Sequence, residues 1–467
     1  MFIGRKTKGL AKVWVSSKSG LRLEPVSLEA LASDLPAQAQ IWLDPSRKCQ
    51  VMQGFGGAFT ESAALTWLAL PEDQREQVLV DYFDAERGHG YTFCRVHMGS
   101  CDFSLGNYAH LTEPPPSCED ENGSFDLSGF QIERDRQALL PFIKAAQAKL
   151  AATSREPLKL LASPWSPPAW MKSNQHMNHG GQLLPRWRAT WAQCYVKFIQ
   201  AYAQQGVPLW GVTIQNEPEA KQVWDSCLYS AEEERDFVRD HLGPALQAAG
   251  LGHVKIVVWD HNRDQLLRRA SVVYSDPDAS KYVWGAGFHW YGEPHFEQVQ
   301  LTHDAWPDKH LLFTEGCQER GPHFDSWEVG ERYGRNILND LNRWTVGWID
   351  WNLLLNEQGG PNHVGNFCSA PILASDQGEL LYQPSFDFLG HLARFVKPGA
   401  WRVVCSSTKE SLICSAFVNP EGSTVVVGMN QSDEDLVVEL SINCPSENLQ
   451  PSWKLKVAGR SVLTWLS

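Results

Sequence analysis

Apolar runs bounded by turn residues alternate with amphipathic or polar stretches from about residue 50 to residue 390. Eight of these runs have the length and composition of buried strands. They span residues 51–59, 91–98, 158–165, 210–216, 254–260, 283–291, 310–315 and 346–355. Because helical patterns lie between them, the chain repeats a strand-then-helix unit eight times. This pattern predicts the α/β fold called a (β/α)8 TIM barrel.

Five of the intervening stretches have clear helical character. They span residues 72–83, 130–150, 188–205, 231–249 and 327–343. A proline-rich stretch at 113–116 follows the second predicted strand, and we expect it to form a loop over the mouth of the barrel.

A different sequence pattern begins near residue 400, where short runs rich in Val, Ile and Leu are separated by turn residues. They span residues 401–405, 412–418, 423–429, 436–442 and 453–457. This spacing predicts an accessory antiparallel β-sandwich. Two runs near the N-terminus, 12–16 and 41–43, also resemble strands and could complete it. The expected division is therefore 1–48 for N-terminal sandwich strands, 49–395 for the catalytic barrel and 396–467 for the C-terminal sandwich.

The amino-acid composition limits the classes of molecule that we expect the protein to bind. The 467 residues are 43% hydrophobic and carry a formal charge of −13, so the chain is globular and acidic. Such a surface repels phosphate backbones and anionic lipids, and we expect no nucleic-acid partner. Without a run of 18 apolar residues, we also expect no integral membrane association. The oligomeric state stays open.

The first ten residues carry charge without an apolar segment behind them, which is unlike a secretory signal. Eleven cysteines form an odd set without a Cys-x-x-Cys spacing, and this disfavours a zinc site or a complete disulfide framework. A reducing compartment fits this pattern. We therefore expect a cytoplasmic protein, or a secreted one if a leader has been removed.

Two acidic residues stand where barrel enzymes carry their chemistry, at the carboxyl ends of strands. Glu217 follows the fourth predicted strand, and Glu315 ends the seventh. Two carboxylates across a cleft are what glycoside hydrolysis requires. Asn216 directly precedes Glu217 and could bond a sugar 2-hydroxyl. The 20 tryptophans offer flat apolar faces on which sugar rings could stack.

The chain resembles glycoside hydrolase family 30, and specifically its glucosylceramidase branch, which joins a (β/α)8 barrel to a β-sandwich. The matching motifs run in family order from about residue 50 to 390. They are Gly54-Phe55-Gly56-Gly57-Ala58, the stretches 95–104 and 162–172, Gln215-Asn216-Glu217-Pro218, His289-Trp290-Tyr291, Thr314-Glu315-Gly316-Cys317, Asp350-Trp351-Asn352, Gly359-Gly360-Pro361-Asn362 and Asn366-Phe367.

The resemblance implies that Glu217 is the general acid/base and Glu315 the nucleophile. It places Arg95 and Tyr291 near Glu315, where they favour its charged form, and gives His289 a supporting role. In a retaining enzyme the two carboxyl groups lie roughly 5 to 5.5 Å apart. We expect the pKa of Glu217 to be raised by burial and by the second carboxylate.

The resemblance also implies that four side chains hold the sugar in the first (−1) subsite: Asp102, Trp165, Trp351 and Asn366. Asn216 and Tyr291 are further candidate substrate-binding residues. The loops 292–295 and 316–327, which shape the aglycone side, depart from the pattern of the glucosylceramidase branch. Three histidines, His97, His289 and His363, invite a metal interpretation. No ligand spacing supports it, and we expect no metal and no cofactor.

The leading interpretation is a retaining exo-acting β-glycosidase that hydrolyses terminal β-glucosyl residues of glucosylceramide or related β-glucosides. The alternatives within the family are an endo-β-1,6-glucanase and a β-xylosidase or β-fucosidase. A non-catalytic carbohydrate-binding barrel and a metal-dependent barrel hydrolase are weaker alternatives. An exo pocket would be closed by the loops after strands two and eight. A ceramide substrate would require an apolar rim, which the sequence does not show clearly.

Overall fold

The structure is a computed structural model that describes residues 11–114, 127–443 and 452–467. The first ten residues and positions 115–116 of the predicted mouth loop lie outside the described residues. The strands are β1 Lys12–Ser17, β2 Glu24–Val26, β3 Ala39–Val51, β4 Gly54–Phe59, β5 Phe93–Met98, β6 Lys159–Pro164, β7 Gly211–Thr213, β8 Lys255–Asn262, β9 Val283–His289, β10 His310–Glu315, β11 Thr345–Asn352, β12 Leu354–Asn356, β13 Ile372–Ala374, β14 Leu380–Tyr382, β15 Trp401–Ser407, β16 Leu412–Val418, β17 Thr424–Asn430, β18 Leu436–Ile442, β19 Ser452–Val457 and β20 Ser461–Leu466.

The helices are α1 Leu28–Leu31, α2 Glu61–Ala69, α3 Glu72–Phe83, α4 Glu133–Gln137, α5 Leu139–Thr153, α6 Arg188–Gln204, α7 Ala231–Phe237, α8 Gly243–Ala248, α9 Leu266–Tyr274, α10 Pro277–Ser280, α11 Phe296–Ala305, α12 Trp327–Leu341 and α13 Pro384–Ala393. Within the described ranges, no helix is both long enough and apolar enough to cross a membrane.

Strands β4 to β11 form a closed barrel in chain order, with β11 returning to β4. Neighbouring strands pair in parallel, for example β5 with β6 and β8 with β9. The predicted barrel is therefore confirmed. The last predicted strand, 346–355, divides at Leu353 into β11 and β12, because β12 leaves the barrel and pairs with β13 in a separate three-stranded sheet.

The barrel interior is filled with side chains. Phe93, Leu161, Val257, Leu312 and Ile349 are fully buried and form one cluster contributed by five different strands. Close packing of this kind fixes how the strands are staggered, and it therefore fixes where their carboxyl ends lie. The residues that follow those ends are held on a rigid frame.

Two of the predicted helices are interrupted. The stretch 130–150 is divided at Ala138, whose backbone leaves the helical region (φ −138, ψ −52), and this separates α4 from α5. The stretch 231–249 contains a π-helical turn, Val238–Leu242, between α7 and α8. Helix α3 has the predicted bounds, and α6 and α12 end one and two residues early.

A nine-stranded sheet has the order β19-β18-β3-β15-β16-β17-β20-β1-β2. Its strands pair antiparallel, except that β18 and β3 pair in parallel. The predicted accessory sheet domain is therefore confirmed. The N-terminal strands β1 and β3 join the sheet through β20 and β15. Strand β20 was not predicted from the sequence. Buried Val, Leu and Ile side chains from these strands form its core.

The chain divides by its internal contacts into two compact units. One contains the chain up to Gly54 together with Phe324–Asn342 and Gln383–Ser467, and the other contains Phe55–His323 and Arg343–Tyr382. Helices α12 and α13 thus belong to the unit that contains the nine-stranded sheet, where α12 packs on α13 and β16 and α13 packs on β20. The predicted domain boundaries after residues 48 and 395 stay predictions.

Candidate active site

Glu217 and Glu315 meet at the carboxyl end of the barrel. Glu315 is the last residue of β10, and Glu217 follows β7 after a three-residue extension of the chain. One carboxylate oxygen of each lies within 4.8 Å of the other and of a ring nitrogen of His289. This separation is close to the roughly 5 to 5.5 Å of retaining glycosidases and leaves no room for an inverting water molecule.

The Glu315 carboxylate is held from both sides. Arg95 donates from Nη1 to Glu315 Oε2, and the Tyr291 hydroxyl donates to Glu315 Oε1 at 2.9 Å. Burial raises the pKa of Glu315 above its ordinary value, and the positive charges of His289 and Arg95 limit that rise. Hydrogen bonds donated to the carboxylate stabilise its charged form, which is the form that a nucleophile needs.

Glu217 sits on strained backbone. Its φ of +49° lies in the left-handed region, which residues other than glycine rarely adopt. Its backbone N–H donates to the carbonyl of Asp260 at 3.0 Å, and this bond helps to hold the conformation. Such strain persists where the surrounding structure enforces it, and it is concentrated at functional sites.

Two histidines surround the Glu217 carboxylate. His289 Nδ1 lies 3.3 Å from Glu217 Oε1, and His261 Nε2 lies 4.0 Å from the same oxygen. Burial alone would raise the pKa of Glu217, but His261 and His289 outweigh it and the pKa lies below its ordinary value. The expected raised pKa is therefore wrong in this structure. The sequence could not show that two imidazoles converge on this oxygen.

His289 connects Glu217 to a buried carboxylate. His289 Nε2 lies 3.0 Å from Asp260 Oδ1, and Asp260 in turn accepts from Arg95 at 2.7 Å. Burial lowers the pKa of His289, but Glu315, Asp260 and Glu217 raise it to about 9. At neutral pH the His289–Glu217 pair therefore holds one proton within hydrogen-bond reach of Glu217.

Aromatic side chains form one wall of the site. The rings of Trp165 and Trp351 stack at 5.1 Å between centroids, with 23° between their planes. The Arg95 guanidinium lies 4.7 Å from the Trp165 ring centroid, a cation–π contact beneath the wall. Arg95 also donates from Nη2 to Asn216 Oδ1 at 2.9 Å, which leaves the two amide N–H donors of Asn216 for a ligand.

Beside Asp102, which lines the cavity, hydrogen bonds join two loops. Asn366 Nδ2 donates to Asp102 Oδ2 at 2.8 Å, and His363 Nδ1 lies 2.8 Å from the Ser104 carbonyl. Ser62 Oγ contacts the carbonyls of both Phe103 and Pro361 at 2.7 and 2.5 Å. The loop after β5 and the loop after β12 are thus joined at three places.

The cavity between these walls has a volume of about 290 Å³. Its lining residues are Asp102, Trp165, Asn216, Glu217, Gln222, Trp224, His261, Asn262, Tyr291, Glu315, Cys317, Glu319, Trp351, Asn366 and Cys368. Eight of the ten predicted site residues are in this lining. The other two, Arg95 and His289, are fully buried behind it and bind the two glutamates.

Sequence inspection missed several residues of the site. Asp260, His261 and Asn262 end the fifth barrel strand, and the rule that identified Glu217 and Glu315 could have found them. Trp224 and Glu319 lie on long loops, where neither periodicity nor a strand end signals them. Only the folded chain brings them to the cavity.

Metal ligation is the remaining chemical question. Among the described residues, Glu217, His289 and Glu315 form a group compact enough to hold an ion. These side chains are already engaged with one another, because Arg95 binds Glu315 and the His289 imidazole lies within hydrogen-bond reach of both Glu217 and Asp260. The other two histidines of the metal interpretation are separate from this group: His97 binds backbone groups of Glu61 and Gly99, and His363 binds Ser104.

A closed (β/α)8 barrel with two carboxylates this close in an aromatic-walled pocket defines a glycoside hydrolase. Comparison with protein families agrees. The chain matches the glycosyl hydrolase family 30 TIM-barrel domain over residues 52–396 and the glycosyl hydrolase family 30 beta sandwich domain over residues 399–465. The protein belongs to glycosyl hydrolase family 30.

Individual relatives cover nearly the whole chain. It is 37% identical to the lysosomal acid glucosylceramidase of Mus musculus over 94% of this chain and 87% of the relative. The crystal structure of SrfJ from Salmonella typhimurium is 34% identical, with a TM-score of 0.88 over 98% of this chain and 99% of that one. The endo-β1,6-glucanase BT3312 is 28% identical, with a TM-score of 0.83 over 98% and 99%.

Proposed function

We propose that the protein is a retaining, exo-acting β-glucosidase that removes a terminal β-glucosyl unit from glucosylceramide or a related β-glucoside. The observation that carries the exo assignment is the joining of two loops at the Asp102 end of the cavity. The Asn366–Asp102 hydrogen bond and its two neighbouring contacts join the loops after β5 and β12, and we expect this junction to stop a polymer from continuing past that end. A pocket closed in this way admits one terminal sugar.

Two displacements give hydrolysis with retention. Glu315 attacks the anomeric carbon and forms a glycosyl-enzyme ester while Glu217 protonates the departing oxygen. The proton is available because the His289–Glu217 pair holds one at neutral pH. With that proton gone from the pair, the Glu217 carboxylate then takes a proton from the water that attacks the ester. The remaining N–H donors of Asn216 bond the sugar 2-hydroxyl, and the Trp165–Trp351 wall packs on the ring.

Exposed apolar side chains beside the pocket support a lipid aglycone. Leu105, Val223 and Phe367 are large hydrophobic residues that are 56%, 58% and 42% exposed. Val223 stands between two residues that line the cavity, Gln222 and Trp224. The name of the mouse relative, a lysosomal acid glucosylceramidase, supports the same substrate class.

Substrate specificity is tested with a panel of aryl β-glycosides (glucoside, xyloside, fucoside and galactoside) beside glucosylceramide and a β-1,6-glucan. We expect cleavage of the glucoside and of the lipid, with glucose as the first product. Cleavage of the polymer into oligosaccharides without attack on the monoglycosides would replace the proposal with an endo-glucanase. The 28% identity to an endo-β1,6-glucanase makes that outcome the second candidate.

The catalytic roles are tested with Glu217→Ala. A substrate with a good leaving group needs little protonation, so glycosylation should persist while hydrolysis of the glycosyl-enzyme becomes slow. Added azide, which needs no general base, should restore turnover and give a β-glucosyl azide. An α-azide, or no rescue, would show that the roles of Glu217 and Glu315 are wrong.

We propose further that the protein acts in a reducing compartment, as a cytoplasmic enzyme does, without nucleic acid or an embedded membrane segment as partner. The support is the charge of −13 and the free state of the nine cysteines in the described ranges. Cell fractionation with a tagged protein tests the compartment. Recovery in the membrane pellet after alkaline washing would contradict it.

A further inference from the structure

Strand β8 does not end as a regular strand. Trp259 and Asp260 have φ values of +72° and +56°, both in the left-handed region. At the same place the pairing of β8 with β9 shifts register between Trp259 and His261. An irregularity of this kind is a β-bulge, which redirects side chains and is common beside active sites.

The bulge changes which side chains reach the site. In a regular strand, consecutive side chains point to opposite faces. Here three consecutive residues serve the site: Asp260 binds Arg95 and His289, while His261 and Asn262 line the cavity. Asn262 also accepts the backbone N–H of Tyr291 at 2.8 Å. The backbone strain therefore places a third polar residue, His261, in the cavity wall.

His261 has polar atoms that its packing does not explain. Its ring lies against Trp259, with 5.1 Å between centroids, a contact that any aromatic ring could make. Its Nε2 lies 4.0 Å from Glu217 Oε1. Its Nδ1 is buried and has no hydrogen-bond partner among the described residues. A buried ring nitrogen that is not needed for structure indicates a role in the chemistry of the site.

We propose that His261 is a positioning residue for Glu217: through the polar imidazole beside Oε1, it determines the pH at which the acid/base of the reaction loses its proton. The inference rests on the proposed function, because it assigns the regulation of that same carboxyl. His261 is thereby distinct from His289, which hydrogen-bonds Glu217 directly and is anchored to Asp260.

The direction of the effect follows from the charges that face Glu217. His261 and His289 lower the pKa of Glu217, while burial and Asp260 raise it, and Glu315 is the other carboxylate within 4.8 Å. Burial lowers the pKa of His261 itself, while the nearby carboxylates of Glu219 and Asp264 raise it. Without the imidazole, the effects of burial and Asp260, which raise the pKa of Glu217, are less strongly opposed. Glu217 then keeps its proton to higher pH.

The test measures kcat/KM against pH for His261→Phe and His261→Gln, with an alkyl β-glucoside whose poor leaving group requires protonation. The alkaline limb of the profile should move to higher pH in both variants, because that limb reports loss of the proton that the His289–Glu217 pair holds. His303→Phe is the matched control, since His303 stacks on Trp344 away from the cavity. Its profile should equal that of the parent.

A double variant separates this role from a structural one. In Glu217→Ala, rescued by azide with a good leaving group, adding His261→Phe should leave the pH profile unchanged because the acid/base carboxyl on which His261 acts is absent. An alkaline limb that stays in place in His261→Gln, a variant that keeps a polar side chain and the fold, would overturn the inference. Absence of azide rescue in Glu217→Ala alone would instead overturn the proposed function.

Discussion

Glu315 is the residue on which the chemistry depends most. It is buried, yet Arg95 and Tyr291 hold both of its oxygens. Glu315→Gln removes the nucleophile and the negative charge but preserves the shape of the side chain. We expect hydrolysis of an aryl β-glucoside to fall on the order of 10³-fold or more, because no other group can form the covalent intermediate.

The control for this variant is Glu319→Gln, since Glu319 lines the same cavity but has no proposed part in the covalent step. It should retain turnover of the aryl glucoside. Thermal unfolding of both variants shows whether the fold is intact. A Glu315→Gln enzyme with parental kcat would contradict the assignment of the nucleophile.

The exposed apolar residues beside the pocket give a prediction about the aglycone. Val223→Ser and Phe367→Ser remove apolar side chains that are 58% and 42% exposed, so only their buried parts contribute to folding and the loss of stability should stay at or below about 2 kcal/mol. We expect KM for glucosylceramide in mixed micelles to rise several-fold, while KM for an aryl β-glucoside stays constant. Leu301→Ser, on helix α11, is the matched control. Equal effects on both substrates would show that these residues do not contact a lipid.

At the scale of elements, helices α12 and α13 meet through two glycines one helical turn apart, Gly330 and Gly334. An added Cβ at Gly334 would lie 2.5 Å from Phe388 Cδ1 and 2.9 Å from Met429 Sδ. Gly334→Ala gains up to about 1 kcal/mol in helix propensity but costs about 1–3 kcal/mol in overpacking. The cost of the clash should exceed the gain in helix propensity, so the variant should be less stable than the parent.

Thermal unfolding measures the result, and Arg335→Ala on the exposed face of α12 is the control. That control should leave the melting temperature nearly unchanged, because surface substitutions in a helix have small effects. A Gly334→Ala protein more stable than the parent would show that α12 and α13 can separate without cost.

At the same scale, regular elements were predicted well and irregular ones were not. Strand β10 and helix α3 have the predicted bounds, because apolar periodicity directly records which face is buried. The bulge in β8 was missed. Its left-handed residues, Trp259 and Asp260, are not residues that normally signal such a conformation, and only the surrounding structure enforces it.

At the scale of the whole molecule, the two ends of the chain depend on each other. Strand β1 pairs with β20, and β3 pairs with β15 and β18. Removing residues 400–467 would leave β1 and β3 with unpaired edges and would expose the apolar core of the sheet. Exposed edges and apolar surface promote aggregation.

We therefore expect the truncated protein to be insoluble, which soluble yield and size-exclusion chromatography would measure. The full chain expressed in parallel is the control. A truncated protein that stays soluble, monodisperse and active on an aryl glucoside would show that the barrel folds without the sheet.

The candidate site was predictable where its signals are local. Glu217 and Glu315 stand at strand ends, and the motifs around Trp165, Trp351 and Asn366 are contiguous in the sequence. The effect of the surrounding side chains on the protonation of these residues was not predictable. The expected raised pKa of Glu217 was wrong because two histidines from other strands converge on its oxygen.

By itself, the sequence determined the barrel, the accessory sheet and the residue types at the rim, because burial imposes periodicity and strand ends impose position. Only the tertiary structure decided how those residues act. Arg95 reaches Glu315 across 220 positions, and Asn366 reaches Asp102 across 264. Hydrogen bonds and charges act over a few ångströms, so neighbours distant in the sequence set the protonation of the carboxylates and join the loops beside the pocket.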